Sequence, residues 1–283
     1  MAGWSCNGRV RLPLEVRPTM TRSASHPSAH TPWAWALWGG LLGAVLALAL
    51  FAPARWLARP LEAATGGHVL LEATRGTVWN GSGQLTLSGG PGSQDKSSVP
   101  GRMQWQVQPG WGRLQLSVLA DCCMSTPWAL ELQPRWGGLQ LRMNDAQSQW
   151  PAQLLAGLGT PWNTIRAEGL IAMSSQALTA QWIFGRLALQ GQLELKAQDM
   201  ASRLSTLRPM GSYRCVVQGG EVPRLSLSTT QGPLQLSGSG QWTEGRLRFE
   251  GVASAEPESF DALTNLLNII GQRNGARSII KVG

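Results

Sequence analysis

Gly185-Arg186-Leu187-Ala188-Leu189-Gln190-Gly191-Gln192-Leu193-Glu194-Leu195 states one short phrase twice: a glycine, then leucine at every second position. Successive side chains of an extended chain point to opposite faces, so this run predicts a strand with one apolar side. The glycine reads as the turn that opens it. The phrase returns as Gly83-Gln84-Leu85-Thr86-Leu87, Gly112-Arg113-Leu114-Gln115-Leu116, Gly232-Pro233-Leu234-Gln235-Leu236 and Gly245-Arg246-Leu247-Arg248-Phe249, and in shortened form as Gly138-Leu139-Gln140-Leu141. The expected fold is mainly β, a strongly twisted antiparallel sheet. Its buried face should carry Leu85, Leu87, Leu187, Leu189, Leu193, Leu195, Leu234 and Leu236.

Working outward, alternation predicts strands over 68–74, 75–81, from 83 onward, 102–107, 114–119, 128–132 and 139–143. It resumes over 164–172, 178–182, 187–197, 211–217, 224–228, 234–241 and 246–254. Between these blocks Trp150 to Gly159 loses the period of two. With Pro151 at its start and Gly159 at its exit, it predicts a short helix. The Gly/Ser/Pro-rich stretch 89–100 reads as a mobile surface loop, and 201–210 as a connector. A C-terminal amphipathic helix is expected over 257–273. Pro257, Glu258 and Asp261 suit its start, and Phe260, Leu263, Leu266, Leu267 and Ile270 form one stripe. Such a helix should cap a face or edge of the sheet.

Ahead of the strands, Trp33 to Phe51 runs without a charge. As a helix it would measure roughly 28 Å at 1.5 Å per residue, close to the ~30 Å hydrocarbon core of a bilayer. Trp33, Trp35 and Trp38 at one end and Trp56 beyond the other fit interfacial positions, and Arg55 and Arg59 mark the exit. The layout expected is a basic and polar cytoplasmic tail (1–32), a single transmembrane helix (33–53), a connector (54–67) and a periplasmic β-rich domain (68–283). Arg9 and Arg11 tip the charge balance towards a cytoplasmic N-terminus. Ala52-Pro53-Ala54 has the spacing of a signal-peptide cleavage site, but its central proline and the long apolar run favour an uncleaved anchor. Met20 is a second candidate start.

The chain has 283 residues, 14% of them charged, and a formal charge of +8. Such composition suits a sheet with many tight turns and excludes a disordered chain. Arg102, Arg142, Arg166 and Arg224 exemplify arginines that are dispersed over strands, so no nucleic-acid partner is expected. Anionic lipid headgroups are a better match for that charge. Cys122 and Cys123 are adjacent; either could reach Cys215 from a neighbouring strand, and small buried thiols are the favoured reading. No metal, cofactor or catalytic residue is expected. His68 is the one histidine beyond the apolar run, and no nucleophile elbow, phosphate loop, dinucleotide fingerprint or zinc motif occurs. Trp79, Trp105, Trp128, Trp150, Trp162, Trp182 and Trp242 recur at strand ends, where packing over bare glycine backbone is expected. An apolar groove lined by Leu and Trp is the alternative.

Several phrases in order resemble the type II secretion system protein N (GspN) family. They are Gly76-Thr77-Val78-Trp79-Asn80-Gly81, Pro161-Trp162-Asn163-Thr164-Ile165-Arg166 with Gly169, Ser202-Arg203-Leu204-Ser205, Leu207-Arg208-Pro209-Met210-Gly211-Ser212-Tyr213, the run Thr229 to Gly240, and Leu266 to Arg273. The resemblance covers most of 60–275. It implies a non-enzymatic inner-membrane protein with a periplasmic body, whose partners are other components of the export machine and the inner-membrane lipid bilayer. The body is also similar in style to AsmA-like proteins, whose anchored β-grooves are linked to lipid movement. That likeness implies a lipid ligand as the alternative.

Overall fold

The structure is a computed structural model that describes residues 33–243 and 246–283. The expected tail, with Arg9, Arg11 and Met20, lies outside the described residues, as do Glu244 and Gly245. The chain divides into two compact units at Val45 and Leu46. α1 (Trp33–Leu50) carries no charge over its 18 residues. It stops short of the expected residue 53. No helix among the described residues is long and apolar enough to cross a membrane.

In the second unit the expected connector is helical: a 3-10 turn (Ala54–Leu57) runs into α2 (Ala58–Ala64). Then come β1 (Val69–Gly76), β2 (Asn80–Ser88), β3 (Lys96–Ser98), β4 (Met103–Gly110), β5 (Arg113–Ala120), β6 (Trp128–Arg135), β7 (Gly138–Met143) and β8 (Ala146–Pro151). A 3-10 segment (Ala152–Leu158) and α3 (Trp162–Ile165) lead to β9 (Glu168–Ile183), β10 (Arg186–Ala201), β11 (Gly211–Gly220), β12 (Arg224–Gln231), β13 (Leu234–Thr243) and β14 (Arg246–Ala255). After a 3-10 turn (Pro257–Ser259) come α4 (Phe260–Ile270), β15 (Gln272–Asn274) and β16 (Arg277–Val282).

All the strands join one 16-stranded sheet in which neighbours in space are neighbours in sequence until β16 inserts beside β14. The pairing is antiparallel, as expected. β3 and β4 share one edge of β2, and β7 and β8 share one edge of β9, so each couple acts as a single interrupted strand. One rim of the sheet, here the turn rim, collects the tight hairpin turns at 77–79, 111–112, 136–137, 184–185 and 221–223. The opposite, far rim collects the longer excursions.

Register puts the apolar residues on one face. Val107 faces Leu116, Leu116 faces Leu130, Leu132 faces Leu141, Leu139 faces Trp182, and Trp182 faces Leu187. Beyond β10 the row continues as Leu193–Val217, Val217–Leu225 and Leu236–Ala253. Three clusters cover parts of this face. Leu57, Ala58 and Leu61 close over Ala54, Leu71 and Trp105. The 3-10 segment sets Leu154 on Val99 and Cys123, beside Leu85 and Leu87. α4 sets Leu263, Leu266 and Leu267 among Ile165, Met210, Tyr213 and Leu234.

Several expectations need correction. The strands expected over 164–172 and 178–182 are one strand, β9, whose alternation changes phase at a bulge where Ala177 has φ 46°. Its partner there is Gly191, φ 87°, which marks the bulge and opens no turn. Gly83 likewise lies inside β2. Residues 162–165 are helical. The stretch 89–100 is tied down: β3 pairs with β2, Val99 is buried, and Asn163 Nδ2 donates to Asp95 Oδ2 at 2.8 Å. The amphipathic helix is not the C-terminus. α4 ends at Ile270, and β16 occupies the edge of β14, because the alternating Ser278 and Ile280 continue the apolar face. Of the leucines expected to be buried, Leu234 is; Leu85, Leu87, Leu189, Leu193, Leu195 and Leu236 are half-buried, while Leu187 is 46% exposed.

Candidate functional site

The three clusters leave the turn-rim half of the apolar face uncovered from β5 to β10. Leu114, Leu132, Leu139, Leu141, Trp182 and Leu187 form a cross-strand ladder there. Leu139, Trp182 and Leu187 are exposed, and their partners are half-buried. The strands hold these side chains in place through backbone pairing alone, so the ladder is a prebuilt apolar surface. No charged side chain interrupts it. Trp182 departs from the expected packing over glycine, whereas Trp105 follows it: a Cβ on Gly81 would come within 2.5 Å of the Trp105 ring.

The polar face carries different chemistry. One open groove on it, about 680 Å³, is lined by Gln218, Ser226, Ser239, Gln241, Arg248 and Glu250 among others. Glu194 is buried on this face between Arg214 and Lys196, and its Oε1 accepts from Arg214 Nε. These groups satisfy one another.

Among the described residues, groups with catalytic potential are not brought together. His68 Nδ1 donates to the Ser88 carbonyl at 3.1 Å and has no carboxylate among its hydrogen-bond partners. Among the described residues no cluster of His, Cys, Asp or Glu could hold a metal ion. Cys122 and Cys123 form a disulfide with each other, and Cys215 is free. This corrects both cysteine readings: the turn after β5 brings the adjacent sulfurs together, while Cys215 lies five strands away along the sheet, on β11. Burial pushes the Cys215 thiol upward. It also pushes the Tyr213 phenol well above its usual range, and that hydroxyl is buried without a partner among the described residues.

Apart from Gly76 to Gly81, which form the β1–β2 turn on the turn rim, the phrases that carry the family resemblance meet at the far rim. Ser202 Oγ donates to the Ile165 carbonyl at 2.5 Å and accepts from Leu204 N–H at 3.1 Å. Met210 N–H donates to Met200 O at 2.7 Å, and Leu234 N–H donates to Met210 O at 3.0 Å. These bonds frame the core under α4, so the phrases define architecture.

Fold and site together define a class: an antiparallel meander with an open apolar face and no catalytic constellation among the described residues. The family model for type II secretion system protein N matches residues 67–280, and the chain belongs to that family. No curated protein and no solved structure matches it. Membership makes it a component of the type II secretion system and of protein transport.

Sequence reasoning missed the exposed aromatics of the turn rim, Trp111, Trp136 and Phe184. Their signal was present, since each stands beside glycine and within two residues of an arginine at a hairpin turn.

Proposed function

We propose that this protein is a non-enzymatic inner-membrane component of the secretion system whose periplasmic body is a partner-binding platform. The open ladder from Leu114 to Leu187 carries this reading. A rigid, uncharged and half-exposed row of leucines contributes about 25 cal/mol for each Å² of apolar surface that a partner covers. In this reading α1, continued by the uncharged Phe51, serves as the single-pass anchor. Its 18 residues lack any charge and would extend roughly 27 Å, within the range of membrane helices given modest local thinning of the bilayer. The Cys122–Cys123 disulfide supports an oxidising compartment such as the periplasm for the body.

A photo-crosslinking residue at Leu187 or Leu139 in secreting cells tests the platform. Adducts with another secretion component are expected, with none from Gln140 on the opposite face. Leu187→Asp should abolish those adducts and impair secretion while leaving thermal stability unchanged. A second reading, an envelope lipid carrier with an apolar β-groove, is favoured by the absence of any charge along the ladder. Adducts with lipid alone, together with stoichiometric lipid in the purified protein, would establish that reading and reject the platform.

A further inference from the structure

The turn rim gathers features that neither the open face nor the family match uses. The β4–β5 turn ends in Trp111 and the β6–β7 turn in Trp136, both more than nine-tenths exposed. Phe184 at the β9–β10 turn and Val222 at the β11–β12 turn are also exposed. Arginine lies within two residues of each: Arg113, Arg135, Arg186 and Arg224. Alternate hairpins of a meander all turn at the same end, so these four tips stand in a row. The far rim has a different make-up. Its turns fold Cys123, Met124 and Met210 inward, and its most exposed aromatic is Trp162, at 39%.

The β1–β2 turn belongs to the same rim, and the last residues of α1 join it. Trp79 Nε1 donates to the Ala49 carbonyl at 2.7 Å, Val78 N–H donates to Ala52 O at 2.8 Å, and Pro53 bridges Thr77. The exit of the apolar helix is therefore built into the row of tips. Tryptophan at a tip places an amphipathic ring at headgroup depth. The adjoining guanidinium pairs with lipid phosphate, and anionic lipid concentrates such cations at its surface. Among the described residues of these tips Glu221 is the one acidic side chain, and Glu131 pairs with Arg113 at 3.3 Å; the four arginines leave the balance positive.

We infer that the turn rim is a second membrane contact, seating the body edge-on against an anionic lipid surface. The inference rests partly on α1 being the anchor, and the test separates the two. Full-length chain with Cys6→Ser and Cys215→Ser receives one new cysteine for an environment-sensitive dye: Trp111→Cys, Trp136→Cys, Leu42→Cys within α1, or Thr126→Cys on the far rim. Each is reconstituted in vesicles of phosphatidylethanolamine and phosphatidylglycerol containing quencher-labelled lipid. Quenching is expected at 111, 136 and 42, and not at 126. Quenching at 42 alone leaves the anchor intact and overturns rim docking, turning the tips into candidates for a protein partner. Quenching at the tips without 42 keeps rim docking and rejects the anchor. Arg113→Glu, Arg135→Glu and Arg186→Glu together should lower tip quenching several-fold with 42 unchanged. Tip quenching indifferent to this reversal is mere proximity to the tether and also overturns the inference.

Discussion

At the scale of single residues, Tyr213 is the most informative probe, because the chain has one tyrosine. Burial raises its folded-state pKa above the unfolded value of about 10. The folded chain therefore holds the phenolic proton more tightly. That contribution to stability is complete below about pH 10 and is lost as pH rises above it. Tyrosinate absorbance should appear together with loss of structure in an alkaline titration; ionisation in a still-folded chain would refute the burial argument. Tyr213→Phe removes an unpartnered hydroxyl. It should leave stability unchanged or raise it by up to about 1–3 kcal/mol, measured by denaturant melts at neutral pH. A clear loss there would mean that the hydroxyl has a partner.

At the scale of elements, α4 and the open ladder make opposite predictions for the same residue type. Leu267 is fully buried between α4 and the sheet, and Ser278 Oγ donates to its carbonyl from β16. Leu267→Ala should cost about 2–5 kcal/mol, while Leu187→Ala on the exposed ladder should stay within about 0.5 kcal/mol. Equal losses in chemical unfolding would mean that the ladder is covered. The stripe of α4 was legible because its leucines recur at helical spacing. The strands were legible wherever leucine kept a period of two. Legibility failed at Ala177, where a bulge moves the apolar set from odd positions (Ile171, Met173) to even ones (Ala180, Trp182) and one strand reads as two. It failed again at 277–282, since a six-residue run after a helix has too little pattern to reveal the strand it joins. The open face itself could not be read, because alternation shows which side is apolar but not which part of that side a helix covers.

At the scale of the whole molecule, the membrane reading has a direct check. A reporter active only in the periplasm, fused after Gly283, should function, whereas a cytoplasm-only reporter should not; the reverse result would invert the topology. The sheet order has a further consequence, one of timing. Each strand down to β14 pairs with a strand that leaves the ribosome just before it, so sequence separation between partners stays small for so large a sheet. Topologies with local partners close their contacts sooner and with less entropy lost per closure. A chain delivered N-terminus first can lay every new strand onto an edge that already exists, exposing one growing edge at a time. A chain truncated after Gly220 should accordingly keep protease resistance from β1 to β8, where the α2 and Val99 clusters are complete without later residues. Degradation of that region in the truncated chain would show that the sheet forms only as a whole. If the region survives, export and assembly of the body can proceed in step, with the final hairpin, β15 and β16, closing the structure last.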